Sequence, residues 1–318
     1  MSENQTHQSA TGSPLVMITG GRGVIGRYLT SLLLSKGYRV SHLSRQFNQF
    51  GKVRVYRWDP DNGILDPVVF DGVDYIIHLA GANLGEKHWT EARKKEILSS
   101  RVESSRLMHE VITGNNIPVK AFISASAAGY YGAITTDRIF REDDPPANDF
   151  TGTVCRRWEE SADLFSKSGI RTVKLRTAMI LEKYESALSR LLKPASKGIF
   201  PILGSGRQYM PWIHINDLCN VYLKALQDDN MSGPYNAVSP TFTTHTEFMR
   251  ELAHTIHKPF FHPPVPGFLL KVSMGEMAGI ILKGSRISSE KLAASGFGFT
   301  FPDLPEALDN ILNGPCGD

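Results

Sequence analysis

Residues 15–26 read LVMITGGRGVIG, and the fold turns on them. Leu15 to Thr19 form a short apolar run of the kind found in a parallel strand buried on both faces. Gly20, Gly21, Arg22, Gly23, Val24, Ile25 and Gly26 follow, and RYLTSLLLSKG then reads as a helix with Gly37 just past its end. A strand, a glycine loop and a helix in that order form a dinucleotide-binding fingerprint. The first glycine permits the tight turn. The second lets a pyrophosphate approach the backbone, and the third lets the helix pack on the strand. The helix N-terminus offers free N–H groups and the positive end of its dipole to phosphate. A nucleoside-triphosphate loop would close on Gly-Lys-Ser/Thr, whereas this one continues Gly26-Arg27-Tyr28.

Working outward, YRVSHLSR supplies a second strand. An acidic residue at its end would bond a ribose 2′-hydroxyl, whereas an arginine accommodates a 2′-phosphate. Ser44 and Arg45 stand there, with Arg22 nearby in the loop, so the expected cofactor is NADP(H). YIIHLAG (75–81), KAFISAS (120–126) and TVKLRTAMIL (172–181) are further strands. A long helix begins at about Thr90, with Leu98 and Val102, then Met108 and Ile112, spaced four apart. Another begins near residue 150, where Val154, Trp158, Ala162 and Phe165 make an apolar stripe. Alternating strands and helices predict an α/β fold: a Rossmann-like, doubly wound parallel sheet with a smaller C-terminal substrate lobe. We divide the chain into a disordered leader (1–14), an NADP-binding domain (15–180, with 207–240 returning to it) and the lobe (181–206 and 241–318).

At 318 residues, with 41% hydrophobic and 21% charged residues, the chain has the composition of an ordinary globular protein. A net charge of +3 without a basic run argues against a nucleic-acid or membrane-surface partner, and no apolar stretch reaches the length of a membrane span. Three scattered cysteines (Cys155, Cys219, Cys316) imply no disulfide framework. The polar opening MSENQTHQSATGSP lacks a signal-peptide pattern, so the expected compartment is the cytoplasm.

TGGRGVIG, HLAG (78–81), SASAAGYYG (124–132) and PWIHINDL (211–218) together resemble the extended short-chain dehydrogenase/reductases. WDPDNGILD (58–66), WTEARKKEILSSRV (89–102), VCRRWE (154–159), GPYNAVSP (233–240) and KLAASGFGFTFPDLPEAL (291–308) narrow the resemblance. They point to the atypical branch of NAD(P)-dependent epimerase/dehydratase-like proteins, sugar-nucleotide epimerases of which some are described as cell-division-inhibitor-like. The resemblance runs from about residue 15 to the end. It implies that Leu79, Ala80 and Gly81 line the cofactor, and that Ser124 and Ser126 lie near the nicotinamide at a strand's carboxyl end.

The same resemblance implies a Tyr-x-x-x-Lys pair on the helix after the serine strand, where the ammonium lowers the phenol's pKa. Aligning Glu159 with the acidic residue after that lysine puts Thr151 and Cys155 in the two places. Threonine is no phenolate, and cysteine is no permanent cation. Ser126 and Tyr131 are therefore the expected catalytic pair, ahead of Cys155, with Tyr130 as a neighbour and packing as the competing account of both tyrosines. Glu159 and Trp158 read as structural. Arg207, in GSGRQYMPW, is the expected substrate-binding residue. His214 and Asp217 fit a strand-to-helix junction capped by Asn216 or Asp217 better than a functional site. His254, His257 and His262 lack a completing ligand set, so no metal is expected, and no Gly-x-Ser-x-Gly elbow is present. The reading is an NADP(H)-dependent oxidoreductase or epimerase-like enzyme acting on a small polar molecule such as a sugar nucleotide. The alternative is a non-catalytic NADP(H)-binding, redox-responsive regulator.

Overall fold

The computed structural model describes residues 12–46, 51 and 53–314, so most of the expected leader, and Cys316, lie outside the described residues. In the first half come β1 (Leu15–Thr19), α1 (Val24–Ser35), β2 (Arg39–Ser44), β3 (Arg54–Arg57), β4 (Tyr75–His78), α2 (Glu91–Gly114), β5 (Ala121–Ala127), β6 (Ile139–Phe140), α3 (Phe150–Lys167) and β7 (Arg171–Thr177). The second half holds β8 (Met179–Leu181), α4 (Ala187–Ala195), β9 (Ile202–Leu203), β10 (Trp212–His214), α5 (Ile215–Gln227), β11 (Gly233–Ala237), α6 (His245–Thr255) and β12 (Pro264–Val265). It ends with α7 (Gly267–Met274), α8 (Ala278–Leu282), β13 (Arg286–Ile287), α9 (Glu290–Ala294) and α10 (Leu304–Asn313).

Seven strands form one sheet in the order β11-β7-β5-β4-β1-β2-β3, every neighbouring pair parallel. Successive side chains of a strand point to opposite faces, which decides where the helices go. Val16 and Ile18 of β1 join Ile77, Ile123 and Val173 in a core with Leu29 and Leu33 of α1 and Leu218, Val221 and Tyr222 of α5. Met17, Ile76 and Phe122 face the other way, onto Met108 and Ile112 of α2 and Ala162 and Phe165 of α3. Helices on both faces of a parallel sheet make the fold doubly wound and Rossmann-like, as expected.

The α3 stripe is buried as its spacing predicts: Val154, Trp158, Ala162 and Phe165 all turn inward. Asp149 caps the helix by accepting from the Gly152 N–H at 2.8 Å. The Phe165 ring stacks on Phe122 of β5, centroids 3.7 Å apart. A third core gathers Leu188, Trp212, Phe248, Leu252, Leu304 and Leu308, from the segments after residue 181. The α6 helix there opens with a capping box between Thr244 and Glu247.

Three local expectations need correction. TVKLRTAMIL is two strands, not one: Ala178 still donates to Ala237 O, after which β8 leaves the sheet to pair with β10. FLLKVSMGEMAGIILKG (268–284), a helix candidate by sequence, breaks into α7 and α8 at Gly275, whose φ is +59°. His214, not Asn216 or Asp217, caps α5: its Nδ1 accepts from Asn216 N at 3.1 Å. Asp217 instead accepts from Thr300 N and Phe301 N at 2.8 and 2.9 Å, tying α5 to the C-terminal segment. Strand β3 was not anticipated. Among the described residues, no helix is long and apolar enough to cross a membrane.

Candidate dinucleotide site

The loop between β1 and α1 sits at the carboxyl edge of the sheet, where open α/β sheets hold ligands. Gly20 turns with φ +69°, and a Cβ there would lie 3.0 Å from Leu79 C and 3.1 Å from Ala80 N. The loop therefore lies directly on the turn that follows β4. A Cβ on Gly26 would come within 2.5 Å of Gly21 Cα, and one on Gly21 would strike the His42 ring. Gly23 differs. It is exposed, and a Cβ there would meet only Gly20 O, at 3.3 Å. It is also the N-cap of α1, with no side chain capping the helix and no acidic residue in the first turn. The first N–H groups of α1 thus keep no side-chain acceptor, and the backbone leaves a cradle open for a phosphate. Val24 and Ile25 are half-buried on the first turn, packed against the α1–α5 core.

A buried chain of hydrogen bonds sets the floor. Thr19 Oγ1 accepts from Leu79 N and Ala80 N, both at 3.1 Å, and lies 2.8 Å from His78 Nδ1. His78 Nε2 lies 3.2 Å from Ser104 Oγ, which donates to Ser100 O on α2. With Thr19 as donor, Nε2 carries the ring proton. Burial lowers the His78 pKa from 6.5 to about 4, so the ring is neutral. The chain pins the ends of β1 and β4 to α2.

At the end of β2, Ser44 is half-buried and Arg45 exposed. Ser44 pairs in register with Arg57 of β3, a second exposed arginine that the sequence reading overlooked along with its strand. Arg22 is exposed in the loop, and its carbonyl accepts from Arg27 at 2.9 Å.

The serine strand ends among charges. Ser126 is buried and donates to Glu159 Oε1 at 2.7 Å. Arg176 of β7 grips the same carboxylate with two nitrogens, at 2.8 and 2.9 Å. Its third nitrogen donates to Tyr131 Oη at 2.9 Å and to Glu142 O at 3.0 Å. Tyr131 in turn donates to Asn236 Oδ1 of β11 at 2.7 Å, and the Arg176 guanidinium stacks on Tyr130, 3.4 Å from the ring centroid. Tyr131 is only 2% exposed, and burial pushes its phenol above the usual range. The structure thus joins Ser126 and Tyr131 through Arg176 and Glu159, in a network whose hydroxyls are already engaged. Ser124 is buried, its hydroxyl donating to Ala125 O.

On α3, Thr151 Oγ1 donates to Asp149 and does cap chemistry. Cys155 is buried, and burial lifts its thiol to about 12, which keeps it neutral. Arg207 lies exposed on the loop before β10, while the adjacent Gln208 is buried and donates to Leu203 O and Ile281 O. Among the described residues, no three His, Cys, Asp or Glu side chains gather as a metal site would need.

A parallel doubly wound sheet whose first βα turn is a phosphate-shaped glycine cradle defines the dinucleotide-binding class of fold. The sequence profile of the NAD dependent epimerase/dehydratase family matches residues 16–238, and that of a domain of unknown function (DUF1731) matches residues 265–311. The chain belongs to the NAD dependent epimerase/dehydratase family. It is 33% identical to epimerase family protein SDR39U1 of Mus musculus, over 93% of this chain and 99% of the relative. To epimerase family protein YfhF of Bacillus subtilis it is 32% identical, over 93% and 97%. Human SDR39U1, crystallised with NADPH, superposes with a TM-score of 0.84 at 29% identity, covering 95% of this chain and all of that one. UDP-glucuronic acid 4-epimerase of Bacillus cereus, in complex with NAD, shares the fold: TM-score 0.76, 17% identity, 94% and 98% coverage.

Proposed function

We propose that this protein binds NADP(H) in the β1–α1 cradle and acts as an oxidoreductase or epimerase-like enzyme on a small polar substrate of the sugar-nucleotide kind. One observation carries the reading: the α1 N-terminus is uncapped beside the exposed Gly23, in a loop whose other glycines are closed by backbone or ring. In this proposal Gly20–Gly26 hold the phosphates and Leu79–Gly81 line the nucleotide. Ser44 and Arg45, with Arg57 beside them, take the 2′-phosphate. The structural likeness to an NADPH-bound relative supports the same cofactor. A bound nicotinamide supplies or accepts hydride. Residues 15–180 with 207–240 form the cofactor unit, and 181–206 with 241–318 form the substrate lobe that carries Arg207.

Ser126 and Tyr131 enter the proposal as the groups nearest the expected nicotinamide position, with Ser124 beneath them. A second reading has its own support. Both hydroxyls are committed to the Glu159–Arg176 network, and the α3 helix offers only Thr151 and a neutral Cys155. That arrangement fits a protein that binds NADP(H) without turning it over, as a redox-responsive regulator would.

Calorimetric titration with NADPH and NADH tests the cofactor. NADPH should bind more tightly, and Arg45→Ala should weaken NADPH by roughly tenfold while leaving NADH unchanged. Binding of neither nucleotide would overturn the proposal. Incubating the NADPH complex with a panel of carbonyl compounds and sugar nucleotides separates the two readings. Oxidation of NADPH that falls in Ser126→Ala and Tyr131→Phe supports the enzyme, and persistent silence with tight binding supports the regulator.

A further inference from the structure

Lys94 stands near the start of α2, where that helix leaves the carboxyl edge of the sheet. Its side chain is 17% exposed. The ammonium donates to Glu91 of the same helix at 3.2 Å and meets a second carboxylate, Glu276, at 2.5 Å. Next to it α3 begins. The ammonium lies 5.5 Å from the centroid of the Phe150 ring, and the Trp89 ring packs edge-on against Phe150, centroids 4.7 Å apart. Phe150 directly precedes Thr151, which stands in the family's tyrosine place. A cation and two aromatic rings therefore border the expected reaction centre.

The second carboxylate comes from far along the chain. Glu276 sits in the turn Gly275–Met277, between α7 and α8, in the segment read as the substrate lobe. Met277 and Ala278 hold the turn from within, while no residue of α7 is buried, so the helix before Glu276 is held loosely. Among the described residues, Lys94 is the ion-pair partner of Glu276 and no other ion pair leaves residues 267–282. Glu91 alone gives Lys94 a counter-charge, so the Glu276 carboxylate is surplus to neutralisation. Its side chain is exposed, and exposed ion pairs are weak. A small anion can take its place on the ammonium without leaving the lysine bare.

We propose that Lys94 is an anion subsite of the substrate cleft and that Glu276 keeps its place: a phosphate or carboxylate of the incoming molecule displaces the Glu276 carboxylate and binds the same ammonium, beside Trp89 and Phe150. The proposal rests on the reading above, of a small polar substrate held between the cofactor unit and the lobe, and narrows it to molecules with an anionic group.

The test starts from protein saturated with NADPH, which fills the glycine cradle and shows that each variant folds. Calorimetric titration then uses UDP-glucose, which carries a diphosphate, and glucuronate, which carries a carboxylate. The parent should bind at least one of them, and that one names the anion. Lys94→Met should weaken it by roughly 10- to 100-fold, the range for a charge-assisted hydrogen bond. Glu276→Gln should tighten it by roughly threefold or more, because a competing carboxylate is gone. This variant changes an exposed side chain and carries the test if Lys94→Met does not fold. A pair that merely clasps the lobe to α2 demands the opposite sign: both variants would then weaken the ligand alike, and that result overturns the proposal. Unchanged affinity in either folded variant overturns it as well, as does binding of neither ligand by the parent and by Glu276→Gln. If the parent does not bind NADPH, the NADP(H) reading has failed first and the proposal falls with it.

Discussion

Glu159 and Arg176 show what a single residue does at this sheet's end. The carboxylate takes two hydrogen bonds from Arg176 and one from Ser126, all buried. Removing one partner of such a pair strands the other in low dielectric, which is far worse than never having had either. Glu159→Gln should therefore destabilise the fold by about 3–5 kcal/mol, measured by urea unfolding. Replacing Glu159 and Arg176 together with apolar residues should recover much of the loss. A single-variant cost within about 0.5 kcal/mol, the scale of a surface substitution, would show that water screens the pair. The same network engages the hydroxyls of Ser126 and Tyr131, the pair that the sequence singles out.

At the scale of elements, the β1–loop–α1 unit works because two glycines, Gly20 and Gly26, remove side chains where backbone must pass backbone. Gly26 is the tightest of them: a methyl there would overlap Gly21. Gly26→Ala should push α1 away from the strand, lowering stability by roughly 1–3 kcal/mol and weakening NADPH as the cradle opens. Unchanged melting temperature and NADPH affinity would mean that the loop shifts freely and that its shape is not what binds. The α2 helix is the quieter partner of this unit. Its Ser104 ends the Thr19–His78 chain, and its Ser100 hydroxyl accepts from Ala82 N, holding the turn after β4 in place.

At the scale of the whole molecule, four histidines buried among the described residues set the acid limit. His42, His78, His214 and His245 are each lowered from 6.5 to about 4, chiefly by burial. A histidine held neutral in the fold stabilises it fully above the unfolded pKa. As pH falls through 6.5 the unfolded chain takes up protons that the folded chain refuses until about 4. His78, completely buried, should contribute about 3 kcal/mol at pH 7, lost progressively between 6.5 and 4. The urea midpoint should therefore drop steadily across that window. A midpoint flat from pH 7 to 4.5 would show that these rings are protonated in the folded state.

Local rules made the sheet and the cradle legible. A short apolar run, spaced glycines and a helix with a terminal glycine form a contiguous signal, and alternation along the chain implies parallel order. The α3 stripe and the arginine after β2 were likewise visible, because periodicity and position are properties of neighbours in sequence. What could not be read is what distant segments do to one another. Arg101 lies in an apolar stripe as though it were core, and only the approach of Gly81 and Trp158, with no carboxylate in ion-pair distance among the described residues, reveals a buried charge. Tyr131 follows the serine strand as a catalytic tyrosine would, yet Asn236, 105 residues away, takes its proton as a hydrogen bond. Sequence by itself determined five strands of the sheet, the helices between them and the phosphate cradle, since these rest on backbone geometry and local spacing. Tertiary structure alone decided which buried polar groups find partners, because a burial cost and the group that offsets it come from parts of the chain that meet only on folding.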